Sequence, residues 1–177
     1  MTIKETDVKN NRSRIKKITF LALCASLALL LSYVEALIPP IFSAVPGIKM
    51  GLPNIVVVFI LYHFGVVNAG IVSFVRLIIV SLLFGTPMVF LYSLAGAVLS
   101  LLVMAILKKL DFLSTVGVSV AGAIMHNLGQ VIVAMILMNT SEIGYYMIVL
   151  SITGVISGIF IGLCGAFMLK RFSKINI

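Results

Sequence analysis

The stretch PNIVVVFILYHFGVVNAGIVSFVRLIIVSLLF, residues 53–84, decides how many times this chain crosses a membrane. Its 32 residues include a single charged side chain, that of Arg76. A helix needs about 20 residues to cross the hydrocarbon core of a bilayer. The stretch therefore forms either one long tilted helix or two short helices hinged around His63-Phe64-Gly65 and Asn68-Ala69-Gly70.

The composition of the whole chain indicates an integral membrane protein. Of its 177 residues, 62% are hydrophobic and 10% are charged, and the mean hydropathy is +1.25. A soluble domain averages about 45–50% apolar and about 25% charged residues, and it could not bury this much apolar surface. The two cysteines, Cys24 and Cys164, lie in apolar segments without metal-ligand spacing, so we interpret them as small buried hydrophobic residues.

Four further segments are long and apolar enough to cross the bilayer. They are residues 18–38, 87–107, 116–138 and 145–169. The Pro39-Pro40 pair ends the first of these segments. The alternative for that segment is a cleaved signal peptide with a small-residue pattern at Val34-Glu35-Ala36, but its apolar stretch is longer than that of a typical signal.

The basic residues favour two short helices in residues 53–84, and hence six spans. With six spans, one side of the membrane carries eleven of the thirteen Lys and Arg residues, while Lys49 lies on the other side and Arg76 within the membrane. With five spans, the basic residues divide evenly between the two sides. Because Lys and Arg accumulate in short cytoplasmic loops, we predict six transmembrane helices with both termini in the cytoplasm.

The predicted organisation is an all-α polytopic membrane protein. Residues 1–17 form a basic cytoplasmic leader, residues 18–170 a single six-helix transmembrane domain, and residues 171–177 a cytoplasmic tail. The net charge of +8 is then an orientation signal that also attracts anionic lipid. No nucleic-acid-binding motif accompanies the charge, so we expect no nucleic-acid partner.

A polar cluster in GAIMHNLGQ, residues 122–130, predicts a functional site because polar groups are costly inside a membrane. Helical spacing places His126 and Gln130 on one stripe with Ser119 and two glycines. Two interpretations remain open for this stripe, which are hydrogen bonding between packed helices and contact with a ligand. Arg76, at mid-depth, has two interpretations as well: a pair with Glu35, or contact with an anionic ligand in a polar cavity.

The first outer loop, residues 38–54, holds four of the chain's five prolines and suits a lid over an outward-facing pocket, although a plain connector is the alternative. We expect the site to take a small anionic or zwitterionic molecule. The predicted ligand-binding residues are Arg76, His126, Asn127, Gln130, Lys49, Glu35, Asn54 and Tyr92.

The sequence offers no recognisable catalytic chemistry. It has no Walker A motif, so it cannot couple ATP hydrolysis to transport by itself. Its two aspartates, Asp7 and Asp111, flank the spans and form no cluster for a Mg²⁺–diphosphate group. We therefore expect a protein that is not an enzyme and that has no metal site and no cofactor.

Several motifs together resemble a known family. They are PGIKMGLPNI (46–55), VRLIIVSLLFG (75–85), FLYSLAGAVLSLLVMAILKK (90–109), GVSVAGAIMHNLGQVIVA (117–134) and TGVISGIFIGL (153–163). In this order they resemble the Gx transporter family, also labelled heptaprenyl diphosphate synthase component I, over roughly residues 20–170. That family is similar to the substrate-binding S components of energy-coupling factor (ECF) transporters, which are six-helix proteins of the bacterial cell membrane.

The resemblance implies a subunit that captures a small molecule from outside and docks onto a membrane coupling subunit with two ATPases. Docking in such proteins uses small residues of the first helix, which implies Ala22, Ser26, Ala28 and Ser32 here, with Ser in each second place. Ordinary helix packing is the alternative for this pattern. The alternative function is a non-catalytic membrane accessory of quinone, polyprenyl or flavin-linked electron-transfer metabolism, with a polyprenyl synthase as partner.

Overall fold

Residues 3–37 and 51–172 are described by a computed structural model, and this part of the chain contains α-helices, one 3-10 helix and no strand. The helices are α1 (Ile3–Leu37), α2 (Asn54–Phe64), α3 (Val66–Phe84), α4 (Pro87–Leu110), α5 (Thr115–Met138) and α6 (Met147–Phe172). The 3-10 helix, Glu142–Tyr146, lies between α5 and α6. The predicted all-α class is therefore confirmed.

Five of these helices are long and apolar enough to cross a membrane, so the chain is a multi-pass membrane protein. The exception is α2, whose 11 residues span about 16 Å at 1.5 Å per residue. The hydrocarbon core is about 30 Å thick. Six α-helices are present, as predicted, and α2 is the one that is shorter than the hydrocarbon core is thick.

The break between α2 and α3 occurs at Gly65, within the first of the two predicted hinges. Gly65 has φ 88° and ψ 172°, a backbone conformation that is accessible essentially to glycine alone. The second predicted hinge, Asn68-Ala69-Gly70, lies inside the regular helix α3. The sequence stretch 53–84 therefore folds as two helices, as the distribution of basic residues favoured.

The carbonyl groups freed by this break are hydrogen-bonded by other parts of the bundle, as a low-dielectric environment requires. The Gly65 N–H donates to Ile60 O at 3.1 Å. Lys108 Nζ of α4 donates to Leu61 O at 2.7 Å and to Tyr62 O at 3.4 Å. In addition, the Asn68 side chain donates to Phe64 O at 2.6 Å. The short helix α2 is thus fixed at its C-terminal end by side chains of its neighbours.

Helix α2 lies at the centre of the bundle. Its residues Val56–Leu61 are all buried, which is expected for a helix that is apolar on every face. At its C-terminal end, the ring of Phe64 lies 5.5 Å from that of Phe20, and Phe59, one turn earlier, lies 6.2 Å from Phe20 and 5.9 Å from Phe172. The start of the membrane part of α1 and the end of α6 therefore meet at this end of α2.

The same end of the bundle carries the clustered basic residues. Phe20 follows the basic leader, Phe172 follows Lys170 and Arg171, and Lys108 contacts α2 directly. The clustering of these basic residues at one end of the bundle matches the six-span arrangement that the sequence predicted. Its assignment to the cytoplasmic side of the membrane stays a prediction.

Glycines let α5 pack closely between α4 and α6. A Cβ atom on Gly129 of α5 would lie 2.8 Å from Ala95 O of α4. On α6, a Cβ atom at Gly158 would lie 2.7 Å from Val120 Cα. Gly154, Gly158 and Gly162 repeat every four residues, which is the spacing that brings helix backbones together in membranes. This packing fixes the position of α5 and of its polar cluster.

Candidate ligand-binding site

A cavity of about 90 Å³ lies between the helices, several times the roughly 10–15 Å³ that is needed to hold one water molecule. Every α-helix contributes to its wall. The lining residues are Ser32, Glu35, Gly51, Asn54, Arg76, Leu77, Val80, Ser93, Ala123, His126, Asn127, Gln130, Ser157 and Ile161. Most of them are polar, although the surrounding helices are strongly apolar.

Arg76 of α3 places a guanidinium in this cavity. The residue is only 9% exposed. Its Nη1 donates to the Ser32 hydroxyl at 3.3 Å, and that hydroxyl in turn donates to Ala28 O at 2.9 Å. The Arg76 Nε is buried and has no hydrogen-bond acceptor among the described residues. An unpaired buried N–H costs about 1–3 kcal/mol, so this group has capacity for an acceptor beyond the described residues.

Glu35, near the end of α1, lines the same cavity. Its carboxylate accepts a hydrogen bond from the backbone N–H of Gly51, just before α2. Gly51 has φ 75°, so a residue with a side chain would be strained there. The Glu35 carboxylate also interacts electrostatically with the Arg76 guanidinium. Glu35 therefore links the end of α1 to the start of α2 at the edge of the site.

Gly96 of α4 makes room for two polar residues of α5. A Cβ atom at this position would lie 2.7 Å from His126 O and 3.1 Å from the imidazole Cε1. The same atom would lie 3.0 Å from Gln130 Cγ. The close approach of α4 thus holds the His126 and Gln130 side chains against the cavity that both of them line.

Asn127 has a different role from its neighbours. Its Nδ2 donates to the backbone carbonyl of Leu150 in α6 at 2.7 Å. A Cβ atom on Gly154 would lie 3.0 Å from this Nδ2. Asn127 therefore joins two helices and also lines the cavity, as His126 and Gln130 do.

Six of the eight residues predicted to bind ligand line one cavity: Arg76, His126, Asn127, Gln130, Glu35 and Asn54. Lys49 and most of the predicted lid, residues 38–50, lie outside the described residues. Tyr92 is half-buried and lies away from the cavity wall, to which the adjacent Ser93 contributes. Successive residues of a helix point about 100° apart, so only one of the pair faces the site.

Eight lining residues were not predicted as ligand-binding from the sequence, and three of them are the polar residues Ser32, Ser93 and Ser157. Ser32 lies three residues before Glu35, so helical spacing was a usable signal that both share one face of α1. No comparable signal marked Ser157, whose hydroxyl also donates to Gly154 O at 3.3 Å within its own helix.

The residues predicted to dock a partner divide into two sets. Ala22 and Ser26 are exposed, which is compatible with contact to a neighbouring protein. Ala28 and Ser32 are 0% and 6% exposed, because they lie on the face of α1 that packs into the bundle. A buried side chain offers no surface to a partner in this conformation, so Ala22 and Ser26 are the accessible part of the pattern; docking stays a prediction.

The described residues form no group of three or more His, Cys, Asp or Glu side chains that could hold a metal ion. The cavity instead offers one guanidinium, one carboxylate, one imidazole and several amides and hydroxyls. Asn54, Ser93 and Gln130 contribute the neutral donors and acceptors of this set from α2, α4 and α5. Such a set is suited to binding a polar molecule.

The fold and the cavity define a multi-pass α-helical membrane protein with a polar interior site. Residues 24–168, most of the chain, match the model of the family described as heptaprenyl diphosphate synthase component I, and the chain belongs to that family. This confirms the family resemblance of the sequence motifs. Comparison with curated proteins and with solved structures gave no match. The similarity to ECF S components stays a prediction.

Proposed function

We propose that this protein is the substrate-binding membrane subunit of an ECF-type transporter in a bacterial cell membrane, and that it captures a small anionic molecule. The observation that carries the proposal is the buried Arg76, whose Nε lacks an acceptor among the described residues. A cationic group at this depth is expensive unless an anion or a polar partner compensates it. A bound anion supplies that compensation.

The participation of every helix in the cavity also supports a binding role. Asn127 joins α5 to Leu150 of α6 and also lines the cavity. Asn54, Ser93 and Gln130 reach the same cavity from α2, α4 and α5. Their convergence on a shared cavity is what a ligand site requires.

The proposed direction of capture follows from the position of the cavity. Glu35 lies near the end of α1, at the opposite end of that helix from the basic leader. If the basic end faces the cytoplasm, the Glu35 end of the cavity faces outwards. The proposed energy source is a pair of partner ATPases, because the sequence has no Walker A motif.

The proposal is tested by ATP-dependent uptake. The protein is reconstituted in liposomes with its coupling subunit and ATPases, and the uptake of candidate anions is followed with and without internal ATP. Arg76→Gln is expected to abolish uptake, whereas Arg171→Gln, at the exposed end of α6, leaves it intact. The proposal fails if no anion enters in an ATP-dependent manner, or if the two variants behave alike.

A second candidate is favoured by the family description. It names a component of heptaprenyl diphosphate synthase, which suggests a non-catalytic membrane subunit that associates with a polyprenyl synthase. Partner identity separates the two candidates. Gentle extraction of the tagged protein from its native membrane recovers ATPases if the first is correct, and a polyprenyl synthase if the second is correct.

A further inference from the structure

We propose that the ligand presents a two-oxygen anionic group, a carboxylate or a phosphate, to the Nε edge of Arg76, and that Ser32 is the positioning residue that orients this edge. The inference deepens the proposed function and rests on its assumption that the central cavity holds the ligand. It names the chemical group that the cavity recognises and the atoms that recognise it.

The first step is the geometry of the guanidinium. It is planar, and its Nε–H and one Nη2–H point side by side along one edge. The Arg76 Nη1 donates a hydrogen bond to the Ser32 hydroxyl at 3.3 Å. The Nε on the remaining edge has no acceptor in the described part of the chain, although the residue is only 9% exposed. Carboxylates and phosphates fit this edge, because each carries two oxygens on one atom that accept the two parallel N–H bonds.

The second step concerns the orientation of Arg76. The Ser32 hydroxyl donates to Ala28 O at 2.9 Å, so its lone pairs point away from its own helix toward the guanidinium. Both Ser32 and Ala28 are buried. The hydroxyl therefore fixes the rotation of the guanidinium about its long side chain, which presents the Nε edge in a constant direction.

The third step is the charge of the remaining wall. Glu35 already accepts a hydrogen bond from Gly51 N–H and interacts with Arg76. Asn54, Ser93 and Gln130 are neutral and contribute hydrogen-bonding groups without charge. A ligand that matches this wall carries one strongly anionic group at Arg76, and its other polar groups are uncharged donors or acceptors.

The experiment measures the stabilisation of the purified protein by small probes in lipid nanodiscs. Sodium acetate, sodium phosphate and the neutral isostere acetamide are titrated at constant ionic strength, and the unfolding midpoint gives an apparent Kd. Acetate or phosphate is expected to raise the midpoint, and acetamide is not. The anion with the lower apparent Kd identifies the ligand group as a carboxylate or a phosphate.

Three variants test whether the Arg76 guanidinium and the Ser32 hydroxyl bind and orient the anion. Arg76→Lys keeps the charge but loses the planar edge, so anion affinity falls about tenfold or more. Ser32→Ala keeps Arg76 and releases its orientation, and affinity falls by about threefold to tenfold. Arg171→Lys, at the exposed end of α6, is the matched control and binds like the unmodified protein. Circular dichroism and gel filtration show whether each variant is folded. If Arg76→Lys does not fold, the affinity of Ser32→Ala decides the test.

The inference is overturned if acetamide stabilises the protein as well as acetate does, or if folded Arg76→Lys and Ser32→Ala bind the anions with unchanged affinity. Its failure differs from that of the proposed function. ATP-dependent anion uptake that is lost in Arg76→Gln, together with unchanged anion affinity in folded Arg76→Lys and Ser32→Ala, would overturn this inference alone. Anion binding at Arg76 without any uptake would overturn the transport function and leave this inference standing.

Discussion

The Asn127 side chain of α5 donates a hydrogen bond of 2.7 Å to the backbone carbonyl of Leu150 in α6. The absence of a side chain at Gly154 makes this approach possible, since a Cβ atom there would lie 3.0 Å from the donor nitrogen. The bond fixes the rotation of α5 relative to α6. It therefore also fixes the direction in which His126 and Gln130 face the cavity.

We expect Asn127→Ala to lower the free energy of unfolding by about 0.6–2 kcal/mol, the range for interhelical hydrogen bonds in membranes. Thermal unfolding in detergent measures the change as a lower midpoint. The control is Asn11→Ala, because Asn11 is exposed. Equal midpoints for the two variants would show that the bond to Leu150 does not stabilise the bundle.

Gly65→Ala tests the break between α2 and α3. We expect a loss of about 1–3 kcal/mol from backbone strain, because φ 88° with ψ 172° disfavours any side chain. No atom of the described residues lies within 4 Å of the Cβ position, so the effect is conformational rather than steric. Gly70→Ala, within α3, is the control, since its Cβ would meet the flexible end of the Leu101 side chain at 3.3 Å.

The stability of the two Gly variants is compared by chemical or thermal unfolding in the same detergent. A large loss for Gly65→Ala with a small change for Gly70→Ala supports the hinge at residue 65. The reverse order would place the hinge in the second predicted position, Asn68-Ala69-Gly70.

Lys108 and Lys109 are adjacent but have different surroundings. Lys108 Nζ donates to Leu61 O and Tyr62 O and lies 5.1 Å from the centre of the Tyr62 ring, whereas Lys109 is exposed. We expect Lys108→Ala to cost about 1–3 kcal/mol, because it leaves carbonyls of α2 unpaired. Lys109→Ala is expected to stay within about 0.5 kcal/mol of the unmodified protein.

Unfolding midpoints of both lysine variants in nanodiscs provide the measurement. If removal of either side chain has the same small effect, the basic pair serves membrane orientation alone, and α2 is held without Lys108.

The orientation of the bundle is testable with single cysteines. Phe112, in the α4–α5 connection, is 73% exposed, and Tyr145, in the α5–α6 connection, is 80% exposed. With Cys24 and Cys164 replaced by Ala, we expect a membrane-impermeant thiol reagent to label Tyr145→Cys in intact cells. Phe112→Cys should react only after the membrane is permeabilised. The opposite labelling would reverse the predicted orientation.

The sequence by itself determined the class of the fold and most of the helix positions. Mean hydropathy and span length are properties of composition and local order, so they predicted α4 and α5 to within a few residues. The unequal distribution of basic residues predicted that residues 53–84 form two helices, because charge placement is also written directly in the sequence. The isolated Arg76 and the GAIMHNLGQ cluster marked the region of the cavity because polar groups are rare in apolar spans.

Only the tertiary structure decided what each polar residue contacts. Helical spacing gave Ala28 and Ser32 a pattern that resembles a docking surface, but the packing of α1 turned that face inward, where Ser32 meets Arg76. Likewise, Asn127 and Gln130 share one cluster in the sequence and both line the cavity, yet Asn127 also hydrogen-bonds to Leu150 of α6. Such roles depend on the rotation of each helix against its neighbours, and that rotation is set by glycine contacts between residues far apart in the chain.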